Sequence, residues 1–241
     1  MMKVALQFSG QQRSVDAGYE YYKKNLLDDD RYSVDVYAVT WNQGGPRPTK
    51  FPYKLKQLMY CKPFDAQCIN DRYPNVINPQ YPAFNTYSMF YSMFQANMLR
   101  KGVENREGIK YDVVIRTRFD YALNRKFDFD RIFSAFGDTS IFVPDDRMNS
   151  EHTFCSDMFA FGTPKVMDKY HNTFVNIDTL YDIGIPMNGE EMLAANLNVY
   201  GLTGGKMTYI DMNNPFPPGK YNFNSHAIIR DDFTQFNTNR G

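Results

Sequence analysis

The first forty residues switch from one hydrophobic period to another and back, and that switching restricts the fold more than any other feature of the chain. The segment "KVALQFSG" reads as a strand over Lys3–Phe8 that stops at Ser9-Gly10. A helical spacing follows from about Val15 to Leu27. Then "SVDVYAVTW", Ser33–Trp41, alternates with period two. Strand, helix, strand is how a parallel sheet with a helical crossover begins. The predicted class is α/β, a mostly parallel central sheet flanked by helices.

The rest of the chain supplies further elements. "NQGGPRPTKFP", Asn42–Pro52, reads as a loop. Residues 53–84 have weak periodicity and are interrupted by prolines from Pro63 to Pro82, which predicts short helices and irregular loop. Tyr87–Glu104 is the clearest helix; Met89, Phe90, Met93, Phe94, Ala96 and Met98 form its apolar face, and Gly102 lies near its expected end. Strands are predicted at Asp112–Thr117, Thr139–Pro144, Asp157–Gly162 and Lys206–Met212. A helix is expected from Thr163 as N-cap with Pro164 at its first position, and another over Gly189–Gly201 with acidic residues in its first turn. The composition does not shift along the 241 residues and no segment repeats, so one domain over 1–241 is expected.

Composition narrows the partners. Lys+Arg and Asp+Glu are both 27, and a neutral chain argues against bulk nucleic-acid binding, which usually needs a basic face, while leaving room for local patches. Hydrophobic residues, 43% of the chain, suffice for a substantial core, yet no apolar run reaches the roughly 18 residues of a membrane span. "MMKVALQFSGQQR" lacks the apolar centre of a secretory signal, so a soluble, cytoplasmic protein is expected. Cys61, Cys68 and Cys155 read as thiols of a reducing compartment, with a Cys61–Cys68 disulfide as the alternative.

Two stretches carry candidate chemistry. The turn "FSGQQRS" joins the first strand to the first helix and offers backbone N–H groups, Ser9, Gly10, Gln11, Gln12 and Arg13 where anions are commonly held. "YDVVIRTRFDYAL" runs a buried strand into Arg116, Arg118 and Asp120. If strand geometry persists, these three side chains share a face, and two guanidiniums there can clamp a diphosphate. A structural ion-pair network is the competing account. His152 is expected in a loop and His171 on a helix surface, Asp145, Asp146 and Arg147 in a turn, and Arg230 in a charged segment.

The order of "SGQQR", "MFYSMFQANMLRKG", "YDVVIRTRFD", "DMFAFGTPKVMDKY" and "NGEEMLAANL" resembles the GT-A-fold glycosyltransferase-like proteins of bacteria, phages and large DNA viruses, from Lys3 to about Met212. The resemblance implies a GT-A-like domain, with a Rossmann-like nucleotide-sugar half over about 1–123 and an acceptor half over about 124–241. It implies a nucleotide diphosphate sugar as donor, a glycan or other hydroxyl as acceptor, and Mn2+ or Mg2+ as cofactor. The family's Asp-x-Asp corresponds here to Arg118-Phe119-Asp120, so the first aspartate is replaced and Asp120 is the implied metal ligand. His226 fits the further metal ligand that such enzymes carry near the C-terminal end. Ser9, Gly10, Gln11, Arg13, Arg116 and Arg118 are the implied donor-binding residues, with Trp41 or Tyr37 stacking on the base. Glu190 and Glu191 are candidates for the catalytic base, with Asp157 as rival; in a retaining enzyme they would hold donor or acceptor instead. A nucleotidyltransferase and a non-catalytic carbohydrate-binding relative are the alternatives, and "SGQQRS" lacks the glycine-rich signature of the first.

Overall fold

A computed structural model describes residues 1–42, 51–123, 125–144, 154–202 and 207–210. The strands are β1 (Met2–Ser9), β2 (Tyr32–Trp41), β3 (Leu55–Cys61), β4 (Val113–Thr117), β5 (Ile141–Pro144), β6 (Phe159–Gly162) and β7 (Met207–Ile210). The helices are α1 (Val15–Tyr22), continued by a π-helical turn at Lys23–Leu27, then α2 (Ala66–Arg72), α3 (Ala83–Glu107), α4 (Phe129–Phe136), α5 (Pro164–His171), α6 (Thr173–Asp182) and α7 (Gly189–Val199). The strands form one mixed sheet in the order β3-β2-β1-β4-β6-β5-β7. β1 pairs in parallel with both β2 and β4, and β6 alone runs against its neighbours.

The β1, β2 and β4 strands are hydrophobic on both faces because helices cover both. On one face Ala5, Tyr37, Val114 and Ala160 pack under Phe90, Met93 and Val103 of α3 and under Met167, Tyr170, Leu193 and Leu197 of α5 and α7. On the other, Val4, Leu6, Phe8, Val113 and Ile115 meet Tyr22 and Leu26, and Phe129 and Ile132 of α4 join Phe142, Phe159 and Phe161. The phenylalanines of this second layer touch in series, Phe142 to Phe161 at 4.8 Å and Phe127 to Phe161 at 5.2 Å between centroids.

Several expectations need correction. Residues 53–84 contain β3, an edge strand without a buried face pattern, beside the expected short helix α2. α3 runs past Gly102 because Val103 is buried and Glu104 pairs with Arg100; it stops at Gly108, whose φ of 65° is the left-handed cap conformation. Met98, assigned to the apolar face of that helix, is exposed. The helix expected after Thr163 breaks at Asn172 into α5 and α6. The three cysteines are free, Cys61 and Cys155 buried and Cys68 exposed. No helix among the described residues is long and apolar enough to cross a membrane.

Candidate functional site

The chain leaves β1 to build β2 and β3 on one side, then returns to place β4 on the other side of β1. A reversal of this kind, at the carboxyl ends of β1 and β4, is the usual ligand position in open α/β sheets. Ser9 ends β1 and Arg116 lies one residue from the end of β4. Gly10 turns the chain out of β1 with φ 115°, which favours glycine, and its N–H donates to the Val39 carbonyl at 3.1 Å.

Arg100 and Arg116 are both only 1% exposed, and the contrast between them defines the site. Arg100 is fully engaged. Its Nε and Nη2 donate to Asn97 Oδ1 at 3.2 and 2.8 Å, its Nη1 to Glu104 Oε2 at 2.6 Å, and its Nη2 also to Asp168. Arg116 donates from Nε to Ser9 Oγ at 3.3 Å, and its Nη1 has no partner among the described residues. Burial lowers its pKa from the ordinary arginine value; Tyr170, Asp157 and Asp120 oppose that effect and Arg118 adds to it. The phenol of Tyr170 and Oε1 of Gln7, which pairs in register with Arg116, are also buried without partners among the described residues. A buried polar group without a bond costs about 1–3 kcal/mol, more for a charged one. Among the described residues Arg116 is thus a buried cation with one side-chain bond, at 3.3 Å, and an unpartnered Nη1.

Arg118 and Asp120 meet, though not by strand alternation. β4 ends at Thr117, and a turn closed by the Tyr121 N–H on the Arg118 carbonyl folds Asp120 back. Arg118 Nε and Nη2 donate to Oδ1 and Oδ2 of Asp120 at 2.8 and 2.7 Å, a two-pronged pair. Phe119 between them stacks on Phe8 at 5.2 Å. The Phe119 carbonyl reaches α1 at Gly18, where a Cβ would lie 2.8 Å from that oxygen. Burial disfavours the Arg118 charge, but the bonds to Asp120 and its negative charge outweigh this and raise the Arg118 pKa.

The second wall comes from α7. Asn188 caps it, accepting from the N–H groups of Glu190 and Glu191 at 3.0 and 3.2 Å. The Glu190 carbonyl accepts from Cys155 N–H at 3.2 Å, which ties this end to the segment before β6. Asp157 lies against Gly189: a Cβ there would sit 2.8 Å from Asp157 Oδ2 and 2.9 Å from Met89 Cε. The charge of Asp157 acts on both Arg116 and Arg118. Glu191 is half-buried, and burial raises its carboxyl pKa. Ser9 and Arg116, Arg118 and Asp120, and Asp157 with the first residue of α7 thus form one linked cluster, joined by hydrogen bonds, by the Asp157–Gly189 approach and by the charge of Asp157 on both arginines.

Other candidates fall elsewhere. Gln11 and Arg13 are exposed and bonded to each other, while Gln12 Nε2 is buried without a partner among the described residues. Trp41 is half-buried against Phe64 and Tyr91, at 5.9 and 6.0 Å. Tyr37 cannot stack on a base: it is fully buried and its hydroxyl bonds Tyr111 at 2.7 Å. His171, expected on a helix surface, is enclosed in the core. His226, His152, Asp145, Asp146, Arg147 and Arg230 lie outside the described residues. The sequence reading missed Gln7, Tyr170 and Gly189. Gln7 left a signal, a lone amide inside the apolar run "KVALQFSG"; Tyr170 and Gly189 left none.

The implied metal does not suit the described donors. Both oxygens of Asp120 are engaged by Arg118, and the carboxylate is 3% exposed. No group of three or more His, Cys, Asp or Glu among the described residues could hold a metal ion. No protein-family model matches the chain, and no curated protein matches it either.

Proposed function

We propose that this chain is a glycosyltransferase that moves a sugar from a nucleotide diphosphate sugar to a hydroxyl of a glycan or other acceptor. The observation that carries this reading is the buried Nη1 of Arg116, without a partner among the described residues, at the reversal between β1 and β4. A diphosphate meets the need of that group, and the parallel strand–helix–strand unit beside it is the usual support for a nucleotide. The α/β sheet flanked by helices agrees with the fold that the family resemblance implies.

In the reaction, the acceptor oxygen attacks the anomeric carbon, the bond from that carbon to the diphosphate oxygen breaks, and its electron pair leaves with the diphosphate. Arg116 and Arg118 stabilise the charge that develops on the leaving group. The acceptor proton passes to a carboxylate. Glu191, half-buried in the first turn of α7, is the candidate favoured here, and burial raises its carboxyl pKa. Asp157, beside both arginines, and Glu190 are left to hold sugar hydroxyls.

The test is turnover of a panel of nucleotide sugars, read as released nucleoside diphosphate with and without a mixture of oligosaccharide acceptors. One donor base should be consumed, faster with acceptor present, and Glu191→Gln should slow it by about 100-fold or more. Failure of every donor to be consumed or bound would contradict the proposal.

A further inference from the structure

We infer that the diphosphate of the donor is neutralised by Arg116 and Arg118 without a divalent cation, and that Asp120 is a positioning residue for Arg118. This deepens the glycosyltransferase reading and rests on it.

Three observations lead there. First, Asp120 offers a cation little. Its two oxygens accept the paired N–H groups of Arg118 at 2.8 and 2.7 Å. Mg2+ requires near-octahedral oxygen ligands, and Mn2+ also favours carboxylate and water oxygens. A divalent ion entering here would face two guanidiniums, with Asp157 as the carboxylate among the described residues that acts on both. Second, the guanidinium of Arg118 already occupies the place beside Asp120 that a cation would take. The pair with Asp120 uses two of the five N–H groups of a guanidinium and fixes the plane of the rest. The Arg118 side chain is 27% exposed against 4% for Asp120, so the arginine is the member of the pair open to a ligand. Third, Arg116 stands close enough for Arg118 to disfavour its charge, and its Nη1 has no partner among the described residues. Two like charges that act on each other, one of them bonded to Ser9, gain most from an anion that bridges them. Guanidinium planes suit that task because they bond phosphate oxygens in pairs.

The arrangement also accounts for the sequence. With arginine at position 118, the remaining aspartate finds its positive partner within the motif. Arg118 and Asp120 are then one unit, in which the carboxylate orients the cation and the cation meets the phosphate.

Isothermal titration of UDP, GDP, CDP, ADP and dTDP, in EDTA and in Mn2+, tests this. One diphosphate should bind with a Kd in EDTA within about threefold of that in Mn2+. Arg118→Gln should weaken it at least about tenfold in both buffers, the usual size of a lost bond to a charged group. Asp120→Asn should weaken it less, Mn2+ should not restore the loss, and Asp120→Glu, which keeps a carboxylate for the pair, should recover part of it. If Arg118→Gln alone fails to fold, the paired change Arg118→Gln with Asp120→Asn removes both charges together and should show the same loss. Binding that appears only with Mn2+ and disappears in Asp120→Asn would overturn the inference and leave the glycosyltransferase reading standing. Absence of binding by every diphosphate in both buffers would overturn both.

Discussion

His171 sits 1% exposed on α5, its Nδ1 2.6 Å from the Met167 carbonyl and its Nε2 without a partner among the described residues. The short contact to a carbonyl makes Nδ1 the protonated nitrogen. Burial holds its pKa down at about 3; the Met167 carbonyl works against this, Arg100 and Arg116 lower it further and Asp168 opposes them. An unfolded histidine titrates near 6.5, so between about pH 6.5 and pH 3 the unfolded chain binds a proton that the folded chain does not. Stability is then lost as pH falls through that window, by at most about 1.4 kcal/mol per pH unit from this residue. Denaturant unfolding at pH 7, 6 and 5 should show the slope in the wild type and a shallower one in His171→Leu; equal slopes would remove His171 as the cause. At this scale the sequence displayed the right residue types and hid their states. "IRTRFD" made Arg116, Arg118 and Asp120 visible. Nothing in it told which arginine would be paired, because the turn after Thr117, which brings Asp120 back to Arg118, decides that.

Gly18 links an element to the site. α1 lies so close to the loop after β4 that a methyl group at Gly18 would come within 2.8 Å of the Phe119 carbonyl, an oxygen of fixed backbone. Gly18→Ala must therefore move α1 or the loop that carries Arg118 and Asp120. Overpacking of this kind costs about 1–3 kcal/mol. Thermal unfolding should register that loss, and nucleotide diphosphate affinity should fall with it; a variant with unchanged stability and affinity would show that the contact is loose. Most elements with strong periodicity were readable, β1, α1, β2, α3 and α7 among them. β3 was not, since an edge strand with half-exposed residues on both faces lacks alternation. α4 was missed although Asp128 caps it, accepting from Arg131 N–H at 3.0 Å, and Gly137 follows it. Its eight residues, Phe129–Phe136, are too few for a firm period.

At the scale of the whole molecule, the site exists because β4 and not β3 lies beside β1. That order joins residues 107 positions apart, Ser9 and Arg116, and no local pattern in the sequence reports it. Arg100, with a partner for every guanidinium nitrogen, anchors α3 to α5, whereas Arg116 has one side-chain bond among the described residues, at 3.3 Å. A cation kept in that state costs stability, so its replacement separates function from structure. The measurement that tests this most directly is the melting temperature of the wild type and Arg116→Met, each alone and with saturating nucleotide diphosphates. A ligand that binds only the folded state raises the melting temperature. The account predicts that one diphosphate raises it in the wild type, that the same ligand has no effect on Arg116→Met, and that the unliganded variant melts no lower than the wild type. A variant that melts several degrees lower and still responds to the nucleotide would contradict it, and would make Arg116 a structural residue like Arg100.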